Sequence, residues 1–197
     1  MNDCPYCQYN LPAPLKRKGT CPNCKNLIIV RNGQMVTEYT SRIIDWLKRV
    51  GGYGVSLPMF ESTRNQLKQQ FKKEPLFNDV CWRILNELLG KYVQDSQTTK
   101  IIYYEMAHIL ETEGKDNSNF VTKANQIDLL EMKKIGFRFV KVQTCNDESV
   151  CVECKNMASS KIPIDVAIET NPIPSHCKNK YCRCSYVVDA EDALMYK

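Results

Sequence analysis

Cys4, Cys7, Cys21 and Cys24 form two Cys-x-x-Cys pairs with 13 residues between them, and Cys151, Cys154, Cys177, Cys182 and Cys184 crowd a second region. Together they are nine of the chain's 11 cysteines. Thiolates paired at this spacing suit a tetrahedral ion, zinc above all. The first four would saturate it and leave no position for water, which makes that site structural instead of catalytic. The second set offers five thiols for four positions. A knuckle pair plus two later cysteines closes a tetrahedron, so Cys151, Cys154, Cys177 and Cys182 are the first choice. Cys184 is the main rival, because Cys182 and Cys184 can point to the same face of a strand. His176 is a weaker one, since adjacent residues rarely share one ion's face. The expected cofactor is zinc, two ions per chain.

Specific elements must hold these thiols in place. Cys4-Pro5-Tyr6-Cys7 and Cys21-Pro22-Asn23-Cys24 are copies of one turn, in which proline fixes the bend and backbone amides point at sulfur. Gln8 and Lys25 follow them where iron-binding knuckles of the rubredoxin type usually have glycine, which favours zinc. Leu27 to Arg31 reads as a strand, Asn32-Gly33 as a hairpin turn, and Gln34 to Thr37 as the returning strand. Residues 1–37 therefore resemble a zinc ribbon. A module of this size cannot hold itself by burial, whereas structural zinc supplies roughly 10 to 16 kcal/mol of apparent binding energy to its folding.

From Thr40 the apolar period changes from two to 3.6 and predicts five helices. Ile43, Ile44, Leu47 and Val50 form a stripe stopped by Gly51-Gly52; Phe60, Thr63, Leu67 and Phe71 form another, between Ser56-x-Pro58 and Pro75. Cys81, Ile84, Leu85, Leu88, Leu89 and Tyr92 make the clearest one, with Asn78 or Asp79 as its cap. The fourth runs from about 96 to 113 with Gly114 as its stop, and the fifth from about 120 to 135 ending at Gly136. Phe137 to Val142 then alternates like a strand and leads to the second cysteine group. The expected fold is α+β with a mostly helical core: a zinc ribbon at 1–37, a helical domain at 38–136 and a treble-clef-like zinc domain at 137–197.

Composition narrows the function classes. With 197 residues, 43% of them hydrophobic, the chain can bury a core of its own. No apolar run approaches the roughly 20 residues that span a bilayer, and no basic leader opens the sequence, so no membrane association is expected. An odd number of cysteines without a leader points to a reducing compartment, and the expected location is cytoplasmic. The net charge of +5 is uneven: five basic groups against one acid in residues 1–33, 16 against 13 in 34–144, and six against eight in 145–197. Lys16, Arg17 and Lys18, between the first two pairs, are the candidate phosphate contacts, with Tyr6 and Tyr9 near enough in sequence to stack on a base. DNA or RNA is thus a possible partner, beside a solvated loop as the plainer reading. Enzyme chemistry has little to work with. His108 and His176 are the only histidines, Cys81 lies on an apolar stripe and Cys145 is isolated, and no glycine-rich nucleotide motif is present.

Asp147-Glu148-Ser149-Val150-Cys151-Val152-Glu153-Cys154, then Ile162-Pro163-Ile164, Pro172-Ile173-Pro174 and Cys182-Arg183-Cys184, resemble the C-terminal motif of the phage Mu F-like minor head (head morphogenesis) proteins. That family pattern is Asp-x-x-x-Cys-x-x-Cys, a proline-rich turn and His-x-x-Cys-Arg-Cys. Here His176 precedes Cys182 by six residues instead of three, and Cys177 is an added thiol. The resemblance covers about residues 120 to 187. It implies a phage- or prophage-related zinc module that assists capsid assembly or DNA packaging, with a protein partner or self-association. The leading expectation is a non-enzymatic two-zinc binding or assembly protein. A nucleic-acid-binding zinc-ribbon protein comes next, and a zinc-scaffolded nuclease last.

Overall fold

A computed structural model of the chain describes residues 2–175, Cys182 and 184–189. Two compact units divide it, Met1–Ile84 and Leu85–Lys197.

In the first unit, β1 (Lys18–Thr20), β2 (Leu27–Arg31) and β3 (Gln34–Thr37) form an antiparallel sheet in that order. Arg31 pairs with Gln34 across the Asn32-Gly33 turn. Both turn residues have positive φ, 51° and 76°, as a two-residue hairpin of the primed type requires. Strand β1 was not expected, because a three-residue run through Gly19 has no apolar alternation to read. Thr37 then caps α1 (Glu38–Val50), its hydroxyl accepting from the Thr40 amide at 3.0 Å. Ser56 caps α2 (Leu57–Phe71), with Pro58 in the first turn where no intrahelical N–H is needed.

The predicted stripes pack around aromatic rings. Trp46 of α1 meets Phe60 of α2 at 5.9 Å, and both rings meet Phe77, at 6.3 and 5.7 Å. Phe71 departs from its stripe: it is 57% exposed at the helix end, where Lys72 turns left-handed (φ 55°). Helix α3 (Phe77–Lys91) starts earlier than the proposed caps. Asp79 lies inside its first turn and accepts from the Leu76 amide at 3.0 Å. Tyr92 follows its last residue. Cys81, Ile84, Leu85 and Leu88 of the predicted stripe are buried, Leu89 and Tyr92 are half-buried, and Val80, outside the stripe, is buried as well.

In the second unit, α4 (Ser96–Thr112) and α5 (Ser118–Ile135) pack as a helical hairpin, Asp95 capping α4 and Gly136 ending α5 at φ 109°. The chain continues as β4 (Phe139–Gln143), α6 (Val152–Ala158), β5 (Ile162–Pro163), α7 (Ile164–Thr170), a short turn at Pro172–Ser175 and β6 (Ser185–Val188). The sheet order is β5-β4-β6, antiparallel throughout. Leu129, Val140, Val142, Ile164, Ala167, Ile173 and Tyr186 form one buried cluster beneath it.

Polar groups inside this unit are partnered in a chain. Tyr104 donates to Asn125 Oδ1 at 3.0 Å, Asn125 Nδ2 to the Ile173 carbonyl at 2.8 Å, and the Ile173 amide to Tyr186 Oη at 2.9 Å. Tyr186 in turn donates to Asn171 Oδ1 at 3.1 Å, and Asn171 Nδ2 to the Thr122 carbonyl at 3.0 Å. Replacing Tyr186 with Phe strands the Ile173 N–H and the Asn171 carbonyl in the core. Thermal or urea melting of the Tyr186→Phe protein should show a loss of about 1 to 3 kcal/mol, and an unchanged midpoint would show that the network carries no stability.

Candidate metal centres

The first sulfur set is assembled by two superimposable turns. In each, the first cysteine's amide donates to a carbonyl beyond the pair and its carbonyl accepts from the residue after the pair. These bonds are Cys4 N to Tyr9 O (2.9 Å) and Gln8 N to Cys4 O (2.9 Å), then Cys21 N to Asn26 O (3.0 Å) and Lys25 N to Cys21 O (2.9 Å). Closing the turn this way forces Gln8 and Lys25 to positive φ, 60° and 63°. The two turns face each other, and all four sulfurs lie within 4.8 Å of one another.

Cys4 Sγ is 3.7 Å from Cys24 Sγ, and Cys7 Sγ is 3.7 Å from Cys21 Sγ. A disulfide would need about 2.05 Å. A tetrahedron with metal–sulfur bonds of about 2.3 Å has edges of about 3.8 Å, so the spacing fits one ion shared by all four. Electrostatics agrees with geometry. The Tyr9 amide and then the Asn23 side chain draw the Cys7 thiol down to about 6. Cys24 goes the other way, up to about 11: the Asn26 amide favours its thiolate, but burial and the three neighbouring thiols outweigh that bond. A cation among the four sulfurs would favour the thiolate form of all of them. Cys4 and Cys21 are sealed in with Leu11 and Ile28, while Cys7 and Cys24 stand at the rim. Asn23 Nδ2 reaches Cys7 Sγ at 3.6 Å, and Asn26 Nδ2 reaches Cys24 Sγ at 3.5 Å.

The second set sits on the core of its unit. Cys151 caps α6, its sulfur accepting from the Cys154 amide at 3.4 Å, which places the pair at a helix N-terminus. Cys154, Cys182 and Cys184 have their sulfurs within 4.8 Å of one another, Cys154 and Cys182 at 3.8 Å. Burial first, then the thiols of Cys151, Cys182 and Cys184, push Cys154 well above the ordinary thiol range. Cys184, the rival in the sequence reading, thus stands inside the group, and Cys151 beside Cys154 is the fourth thiol at hand. Cys177 and His176 lie outside the described residues. Both sets can hold a metal ion.

Lys16, Arg17 and Lys18 are exposed, on and just before β1. Tyr6 and Tyr9 are 40% and 43% exposed, and the Tyr6 hydroxyl accepts from the Glu38 amide at 2.9 Å, which ties the first turn to α1. His108 is an exposed α4 residue 3.5 Å from Glu111, Cys81 is buried, and Cys145 is exposed in a loop. Among the described residues no helix is long and apolar enough to cross a membrane.

The sequence reading missed Asn23, Asn26 and Asp189. The two asparagines carried a signal in their nearness to Cys24, one residue before it and two after. Asp189 carried none: it is 1% exposed, just past β6, and binds Lys141 and Lys161, each at 2.6 Å. Lys141 first and Lys161 second hold its carboxyl below the ordinary 3.8. A carboxyl lowered on folding stabilises above its unfolded value and loses that contribution as pH falls through the folded one. The melting-temperature difference between the natural chain and Asp189→Asn should therefore be constant from pH 5 to 7 and shrink below about pH 4. A difference that persists at pH 3 would sink this account.

Compared with family models, with curated proteins and with solved structures, the chain matches none.

Proposed function

We propose that the chain is a non-enzymatic, two-zinc binding and assembly protein, of the kind the phage head morphogenesis resemblance implies. One observation carries the metal half of this reading: four sulfurs on two copied turns, all within 4.8 Å of one another and two pairs of them at 3.7 Å. All-thiolate tetrahedra of this type favour zinc and serve folding. In this reading β1 to β3 and the two turns are a zinc ribbon, and α6 with β4, β5 and β6 forms a treble-clef-like zinc domain held by Cys151, Cys154, Cys182 and Cys184. Zinc would fix the two modules and leave their surfaces to bind a protein partner or a second copy.

The test is elemental analysis of the purified chain, followed by sedimentation over a concentration series with and without chelator. Two zinc equivalents and a metal-dependent self-association or portal-protein complex are expected. Iron in the first centre would replace the structural reading with electron transfer, and one equivalent would remove the second centre.

A second reading, nucleic-acid binding by the ribbon, is favoured by the exposure of Lys16, Arg17 and Lys18 together on one edge. Titration of labelled DNA or RNA should then weaken steeply with salt, and Lys16→Ala, Arg17→Ala and Lys18→Ala together should abolish it. No binding at low salt ends that reading.

A further inference from the structure

The geometry points to Cys7 and Cys24 as the sites where thiol-reactive electrophiles attack the first centre, with Asn23 and Asn26 restraining that attack; this rests on the zinc reading of the centre. The sulfurs are not equivalent. Cys4 and Cys21 are 1% and 0% exposed, packed with Leu11 and Ile28, so no reagent reaches them while the module is folded. Cys7 and Cys24 are partly exposed. Each receives one side-chain amide, from Asn23 at 3.6 Å and Asn26 at 3.5 Å.

The two asparagines come from one turn but serve both halves of the site. Asn23 reaches across from the second pair to the first, over 16 positions, while Asn26 folds back on its own pair. Both side chains are themselves exposed, so neither is needed to fill the core. An N–H pointed at a thiolate withdraws charge from the lone pair an electrophile would use, and the amide also occupies the approach to it. Metal-bound thiolates remain nucleophilic, so the rate at which such a centre opens depends on how its outer sulfurs are covered.

The reaction is an addition. A maleimide carbon bonds to Cys7 or Cys24 Sγ as the maleimide C=C π bond opens, and the neighbouring carbon takes a proton from water, leaving hydroxide; the thioether formed would no longer be an anionic ligand for the ion. With one ligand gone the remaining three would no longer close the site, and an ion held there would be lost to any chelator present.

The zinc-loaded full chain is treated with N-ethylmaleimide, and each cysteine's modification is followed by peptide mass mapping alongside zinc release. Cys7 and Cys24 should react before Cys4 and Cys21, and Asn23→Ala with Asn26→Ala should speed their modification about tenfold while keeping that order. General loosening would instead make all four react together, and that result, or a rate unchanged within twofold, overturns the proposal. Zinc is counted before the reagent is added. A chain without it overturns the metal reading and this inference with it, whereas a loaded chain that reacts first at Cys4 or Cys21 overturns this inference alone.

Discussion

Replacing Cys21 with Ser should unfold residues 2–37 while leaving α2 protected. Inside the module the buried apolar set is only Leu11 and Ile28, with Leu15 and Met35 half covered, and beyond it the sheet leans on α1 through the Arg31–Asp45 ion pair at 2.7 Å and the Tyr6 hydroxyl on the Glu38 amide. Fully burying one such side chain is worth roughly 1.5 to 3 kcal/mol, against the roughly 10 to 16 kcal/mol that a structural zinc contributes to a small module. Without the ion, ordering three short strands costs more than this cluster returns. The ring cluster of Trp46, Phe60 and Phe77 contains no metal ligand and should survive. Amide hydrogen exchange resolves the two: the Cys21 and Val30 amides, bonded at 3.0 and 2.7 Å, should lose protection while those of α2 keep it. If β2 stays protected in Cys21→Ser, or after chelation of the natural chain, the first centre is not what folds this module.

The second large effect separates Cys184 from Cys177. Cys184→Ser should lower the zinc content from two equivalents to one, and Cys177→Ser should leave it at two, because Cys184 lies within 4.8 Å of Cys154 and Cys182. The cost should spread beyond the site. Cys182 and Cys184 pack against the buried cluster that includes Leu129, Val140 and Tyr186, so an ion held there would be fastened to the unit's own core. A loss of even roughly 2 kcal/mol would lower the melting temperature by about 8 °C or more. The reverse pattern, with Cys177→Ser losing the ion, would reassign the fourth ligand.

Much of this was legible in the sequence, because the informative signals were local. Two copied Cys-Pro-x-Cys turns, Asn32-Gly33, Ser56-x-Pro58 and Gly136 each determine backbone geometry over a few residues, and the hairpin, α2 and the end of α5 follow them. Periodicity placed all five helices and the buried face of α3 for the same reason. What stayed hidden depends on contacts between distant residues. Nothing local to Asn171, Asn125 or Tyr186 says that they meet around the Ile173 backbone, and nothing local to Asp189 says that Lys141 and Lys161 await it. The ligand set was not local either: spacing gives which thiols could converge, and the path of the chain into β6 brings both Cys182 and Cys184 to Cys154. Phe71 shows the opposite error, a residue in phase with its helix stripe but beyond the point where the stripe meets anything.

The pairing of β6 with β4 has a kinetic consequence. Val188 meets Val140 across 48 positions of chain, whereas β2 meets β3 across a two-residue turn. Closing a loop that long costs conformational entropy before any contact repays it, and a strand of four residues repays little by itself. Its two ends are where repayment is concentrated, the sulfurs of Cys182 and Cys184 before Ser185 and the double ion pair of Asp189 after Val188. Strand β6 should accordingly be the last element of its unit to dock on refolding and the first to detach, a clasp that closes on an already folded helical hairpin.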